Sequence, residues 1–294
     1  MKVALIDADS IIHIVAYHYA APNSFLELLV DDSKEEVELA IQSYYENVPK
    51  EPILEHVDFF VLDILSKTSS THYLGFLGAR QGSNTFRHSL AVTKPYKGQR
   101  GKLPHWTKYW KPILIEHLVS KWKFIELFNI EADDACSILA HHYLKSNVDY
   151  VVCSPDKDLR QIPGNHYDYK KLESEYINVK DSLVNLYTQC LVGDSVDNIS
   201  GCPKVGKKSP FLNNLKDFDN EEEMCSFVES VFEIKNASNI FQEQLSLVKM
   251  LREIDNVDFK DIPEPIEIHS ELNSVEEITQ EDEIDLPPIP TFNQ

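Results

Sequence analysis

The chain has 294 residues, 43% of them hydrophobic and 26% charged, with a formal net charge of −20. That length supports one large domain or two modest ones with real cores. No apolar run reaches the ~20 residues of a membrane span, and the five scattered cysteines, lacking a CxxC pair, indicate neither a zinc site nor a disulfide framework and fit a reducing cytoplasm.

Net acidity alone argues against a nucleic-acid partner, because phosphate contacts need Lys and Arg. The charge is unevenly spread, however. Residues 94–123 hold eight Lys/Arg against Glu116, a net of +7, whereas residues 252–294 hold 13 Asp/Glu against Arg252 and Lys260, a net of −11.

In chain order, "VALIDAD" reads as a buried strand over residues 3–7 that ends in acids, too interrupted by Asp7 and Asp9 for a signal peptide. Residues 34–46 and 53–67 have helical spacing. "YLGFLG" (73–78) is a second strand, followed by a Gly- and Lys-rich stretch over 78–105. "PILIEHLVSKW" (112–122) reads as a helix, "KFIELF" (123–128) as a third strand, 131–145 as a helix, and "DYVVCS" (149–154) as a fourth strand. Such alternation predicts a parallel sheet with helices on both faces. From about 184 the pattern turns to short helices and turns. From about 262 Pro and acids accumulate, and this tail is expected to be mobile.

Ligands of open parallel sheets bind at the carboxyl ends of the strands. Asp7 and Asp9 follow the first strand, Glu131, Asp133 and Asp134 the third, and Asp156 and Asp158 the fourth, while Asp194 and Asp197 follow a helical segment, 180–191. "EADD" alone is commonly helix capping and "DKD" alone a solvated turn. Repetition after successive strands instead predicts one pocket. Two unit charges 4 Å apart repel by about 4 kcal/mol at an effective dielectric near 20. Protonation would relieve this, and so would bound cations. Oxygen-only ligands favour Mg²⁺ or Mn²⁺, and two such ions are a recurrent solution for phosphodiester hydrolysis.

"GDSVDNISGCPKVGKKS" (193–209) adds a tight turn, Gly201 to Gly206, after which Gly206, Lys207 and Lys208 are expected to open a helix. With Lys204, this reads as a helix-hairpin-helix whose backbone N–H groups take phosphate without reading sequence. An ordinary αα-turn would look similar. Lys94, Lys97, Arg100 and Lys102, interleaved with Tyr96, Trp106, Tyr109 and Trp110, suit backbone contact and base stacking.

"LIDADS", "FRHSLAVTKPYKGQR", "EADDA", "SPDKDL" and "GDSVDNISGCPKVGKK" resemble, in order and spacing, the 5′-nuclease superfamily over roughly residues 1–250. This superfamily includes flap endonucleases, phage 5′→3′ exonucleases and the 5′-nuclease domain of bacterial DNA polymerase I; the short chain looks most like the free-standing phage type. The resemblance implies a PIN-like α/β domain over 1–180, a helix-hairpin-helix domain over 181–261 and an acidic tail over 262–294. It also implies two-metal hydrolysis of DNA ends, flaps or RNA–DNA hybrids by a monomer in replication or repair. Asp7, Glu131, Asp133 and Asp156 would serve the first metal, and Asp158, Asp194 and Asp197 the second, with Asp134 and Asp156 as bridges. Lys97, Arg100 and Arg87 would grip the scissile phosphate.

The pattern breaks at one place. The superfamily carries a further metal Asp at the end of the second strand, where this chain has Leu77, and no acid lies between Asp63 and Glu116. A weakened metal site with greater metal demand is expected; Asp9, two residues beyond Asp7, could supply an oxygen instead only if the strand continues, since side chains at i and i+2 then share a face. An inert DNA-binding protein on the same fold and a PIN-type ribonuclease remain as alternatives. The tail reads as a phosphate mimic or partner-binding arm, and "QLSLV" (244–248) resembles the peptide by which bacterial proteins bind the sliding clamp.

Overall fold

The computed structural model describes residues 1–30, 32–78, 84–101, 104–253 and 263–268. Its first half runs β1 (Lys2–Asp7), α1 (Asp9–His18), α2 (Asn23–Glu27), α3 (Lys34–Asn47), α4 (Glu51–Thr68), β2 (His72–Leu77), α5 (Phe86–Leu90), α6 (His105–Ser120), β3 (Ile125–Glu126), α7 (Ala132–Lys145) and β4 (Asp149–Cys153). A 3₁₀ turn (Lys157–Gln161) leads to β5 (Gly164–Asp168), β6 (Glu173–Ile177) and α8 (Val179–Val192). Then follow α9 (Phe211–Asn214), α10 (Glu221–Ile234), α11 (Ser238–Val248) and β7 (Ile266–Glu267).

The sheet order is β3-β2-β1-β4-β5-β6. The first five of these strands are parallel, and β6 returns antiparallel on β5. Period-two alternation sends each strand's apolar residues to opposite faces. Ala4, Ile6, Tyr73, Leu77 and Val151 pack with α1, α4 and α6, whereas Val3, Leu5, Leu74, Phe76 and Val152 pack with α7. Strand order reverses around β1, so its carboxyl end opens at the switch point where α/β sheets place ligands.

A separate core holds the helical half. Leu186, Cys190 and Leu191 of α8 pack on Val228, Val231 and Phe232 of α10 and Phe241 of α11. The loop after α8 turns back on itself through a bridge between Asp194 and Ile199. Gly193 and Gly201 sit back to back there with φ of +75° and +65°; a Cβ on Gly201 would lie 2.4 Å from Gly193 N. Only glycine permits that approach.

Several expectations need correction. α6 begins at His105, seven residues before the predicted start, because Pro112 is tolerated inside it. β3 is only two residues long. No helix opens at Gly206: residues 206–210 form turns, and α9 is a four-residue helix starting at Phe211. The tail does not begin as a free arm. Residues 263–268 return to the sheet, where β7 pairs antiparallel with His72 and Tyr73, at the end of β2 remote from its carboxyl terminus. The rest of the tail lies outside the described residues.

Candidate metal centre

Glu131 caps the N-terminus of α7. One carboxylate oxygen from each of Glu131, Asp133 and Asp134 falls within a 4.8 Å group. Asp7 ends β1 and accepts the Ser154 hydroxyl at 2.9 Å; Ser154 Oγ in turn accepts the Asp156 N–H at 3.0 Å, and Asp156 accepts the Asp158 N–H at 2.9 Å. One hydrogen-bonded chain thus links the ends of β1 and β4. Asp194 and Asp197 approach from the helical half and act electrostatically on Asp156 and Asp158.

Several of these carboxyls are displaced from their ordinary range by burial and by one another. Burial, reinforced by Asp9 and then Asp156, pushes the Asp7 carboxyl from the ordinary 3.8 to about 7. Burial, with Asp156 and Asp194, does the same for Asp158, also to about 7. Asp133 is held well above its ordinary range by burial and by its neighbours Asp134 and Glu131. Asp9 keeps one open side, yet loss of hydration around its carboxylate raises it against the pull of Lys111 and Lys97. Glu131 goes the other way: despite its own desolvation, Lys97 and Arg87 hold it low.

Counter-charge reaches this edge from the loop after α5. The Lys97 ammonium bonds Glu131 and lies 3.8 Å from Asp197. Arg100 pairs with Asp197 at 2.8 Å. The Tyr96 hydroxyl lies 2.7 Å from Glu131 Oε2 and 3.0 Å from Asp197 Oδ2. The loop is fastened to the helical half through the Lys97 N–H to Asp197 O, Asn198 to Pro95 O, and Glu243 to the Val92 and Thr93 N–H groups. Lys97 itself has φ of +55°.

The sequence reading placed Arg87 and Asp134 differently. Arg87 is 2% exposed and makes a two-pronged pair with Asp134, itself fully buried, at 2.6 and 2.8 Å. It also donates to Glu131 and to the Leu247 and Lys249 carbonyls. A guanidinium sealed this way cannot reach a substrate phosphate. Asp134 belongs to the 4.8 Å group, but its oxygens already accept from Arg87, Glu131 N and Leu251 N, which leaves no lone pair for a bridging cation. Trp106, Trp110 and Tyr96 are core residues rather than stacking platforms, and Tyr109 stacks on Tyr45. Gln244 is buried, with its side-chain oxygen accepting the Gly201 N–H at 2.8 Å, so "QLSLV" presents no docking peptide. Lys94, Lys204, Gly206, Lys207 and Lys208 are exposed, and Gly201 is buried in the turn. Lys102 lies outside the described residues.

Three residues went unsingled in the sequence. Lys111 on α6 is the strongest cationic influence on Asp9. Ser154 joins two acid-bearing strands. Gln161 is buried and binds Val248 O and Met250 N, tying the Asp156–Asp158 turn to the segment after α11. Ser154 stands within the "SPDKDL" phrase; the other two carry no sequence signal of their role.

The profile of a family described as "5′-3′ exonuclease, N-terminal resolvase-like domain" matches residues 2–186. Over 215 residues, 66% of this chain and 23% of the relative, it is 29% identical to DNA polymerase I of Bacillus subtilis. Over 173 residues, 53% of this chain and 55% of the relative, it is 31% identical to the 5′-3′ exonuclease of Buchnera aphidicola subsp. Baizongia pistaciae. The chain therefore spans little more than half, or less, of these relatives. Among solved structures, T5 5′-exonuclease with bound zinc superposes with a TM-score of 0.57 at 14% identity, covering 84% of this chain and 89% of that one. A complex of the bacteriophage T5 D15 flap endonuclease with DNA and metal ions gives 0.56 at 14% identity over 85% and 89%. At these identities the likeness shows the fold.

Two outcomes follow from this geometry. Truncating Arg87 strands the buried Asp134 charge, so Arg87→Ala should cost about 3–5 kcal/mol in urea unfolding, and Arg87→Lys, lacking the fork, should restore little of it; a loss below ~1 kcal/mol would contradict the buried pair. Asp7 and Asp158 gain protons on folding, so the stability they contribute is complete below 3.8 and is lost as the pH climbs through about 7. In EDTA the melting temperature should therefore be lower at about pH 8 than at about pH 5, and a rise over that window would contradict the assignment.

Proposed function

The chain belongs to the 5′-3′ exonuclease family, and on that premise we propose that it is a metal-dependent 5′→3′ nuclease acting on DNA ends and flaps, or on RNA in RNA–DNA hybrids, during replication or repair in a reducing cytoplasm. One observation carries the reading: seven carboxylates from separate segments act on one another or are linked by hydrogen bonds near the strand ends, with the Lys97 ammonium lodged between Glu131 and Asp197 as a stand-in cation.

The donor set fits hard divalent ions, since all seven groups offer oxygen and none offers nitrogen or sulfur. Asp7, Glu131, Asp133 and Asp156 would hold one ion, and Asp158, Asp194 and Asp197 a second, with Asp156 between them. When bound, such ions supply an activated water and neutralise charge on the scissile phosphate.

The protein's own groups supply the rest. Lys97 and Arg100 are the cations within reach of both carboxylates and solvent, so a phosphate entering the pocket can draw them from Glu131 and Asp197. The single Tyr96 O–H lies within reach of Glu131 and Asp197 and can donate to either one while the lysine is away. The exposed Lys204, Lys207 and Lys208 would contact a duplex backbone. Together these features favour catalysis over the inert DNA-binding alternative.

Incubation with labelled flap, nicked, single-stranded and RNA–DNA substrates under Mg²⁺, Mn²⁺ or EDTA tests the reading. Cleavage from the 5′ end should require metal and fall at least about 10²-fold in Asp156→Asn and in Lys97→Ala. Binding without cleavage would favour the inert alternative, and cleavage of single-stranded RNA alone would favour the ribonuclease.

A further inference from the structure

We propose that Asp9, at the start of α1, supplies the carboxylate that the end of β2 lacks, so that the first metal position is complete through a relocated ligand. This rests on the nuclease reading above and concerns one residue within it. Leu77 ends β2 with its side chain buried in the core beneath the sheet, and cannot turn toward the pocket. The next residue, Gly78, donates its N–H to Asp9 Oδ1 at 3.1 Å.

The space above Gly78 is what identifies the substitution. A Cβ built on Gly78 would lie 2.3 Å from Asp9 Oδ2 and 3.3 Å from its carboxyl carbon, and nothing but Asp9 lies nearest to it. The Asp9 carboxylate therefore occupies the volume into which a side chain on the residue just after β2 would project. The neighbouring helix brings an acid beside the strand end that lacks one.

The path of the chain explains how. Ala8 N–H bonds Phe76 O at 3.0 Å, which draws the first residues of α1 across the carboxyl end of β2. Asp9 N–H bonds Asp7 Oδ1 at 3.2 Å, which fixes the two acids side by side. Lys111, Lys97 and Glu131 all act electrostatically on Asp9, so it shares the surroundings of the α7 cap. Two features that look unrelated in sequence, Gly at 78 and Asp at 9, are one device. A side chain at 78 would have to displace the Asp9 carboxylate from its present seat.

Mn²⁺ binding to the full chain, read by electron paramagnetic resonance of the free ion, tests this without reference to activity. Asp9→Asn keeps an acceptor for the Gly78 N–H and removes only the charge, and should weaken the tighter Mn²⁺ class by about tenfold or more. Gly78→Ala, which pushes the carboxylate from its seat, should weaken it similarly. Asp9→Ser combined with Gly78→Asp, which carries the acid on the residue just after β2 instead of on α1, should recover affinity to within about threefold of wild type. Melting in EDTA shows which variants fold, and the Gly78→Ala and double variants carry the test if Asp9→Asn does not. An Asp9→Asn isotherm that superposes on wild type, while Asp156→Asn loses binding, would overturn the role of Asp9 and leave the nuclease reading intact. Wild-type protein that binds no Mn²⁺ would overturn both.

Discussion

Mutual repulsion among carboxylates gathered at the ends of parallel strands is the constraint around which this molecule is arranged. Each close pair costs a few kcal/mol at an effective dielectric near 20, and the fold meets that cost in two different ways. Where the acid is sealed, as at Asp134, a guanidinium is sealed with it and bonded on every side. Where the acids open to solvent, the counter-charges are Lys97 and Arg100, long side chains on a loop that can exchange one partner for another. The first arrangement is structural and permanent. The second is replaceable, and replaceable counter-charge is what a site for cations and phosphate needs.

The same constraint explains how the two halves are joined. Arg87 takes the carbonyls of Leu247 and Lys249, Gln161 takes Val248 O and Met250 N, and Asp134 takes Leu251 N. Five successive residues, from the last two of α11 to Leu251, are thus clasped by side chains of the α/β half. An unmet backbone group in such a buried seam would be costly, so the register of this strap is sharply specified. The glycine pair at 193 and 201 does the corresponding work within the loop that bears them.

Much of this was legible from the residues alone. Apolar strands alternating with helices gave the parallel sheet, and acids after the first, third and fourth strands pointed to its carboxyl edge, because strand direction follows from local periodicity and the handedness of strand-helix-strand units. What failed was whatever depends on partners distant in sequence. Arg87 reads as one more basic residue; its burial is decided by Asp134, 47 positions later. The helix expected at Gly206 is absent because Lys207 to Pro210 turn instead, and the lysines there remain exposed whatever the backbone does. The β5–β6 hairpin escaped notice because β6 is exposed along most of its length and has no apolar alternation to read. Pro112 misled through a sound local rule: proline usually opens a helix, and here α6 carries it in its interior.

The account stands on cations sharing the pocket built by β1, α7, the turn after β4 and the loop after α8. Crystals grown with Mn²⁺ and measured at its absorption edge would test that directly. Two anomalous peaks about 4 Å apart among Asp7, Glu131, Asp156 and Asp194, with the Lys97 ammonium displaced from Glu131, are what the account requires. Density free of any peak in that pocket, with Lys97 still seated on Glu131, would contradict it.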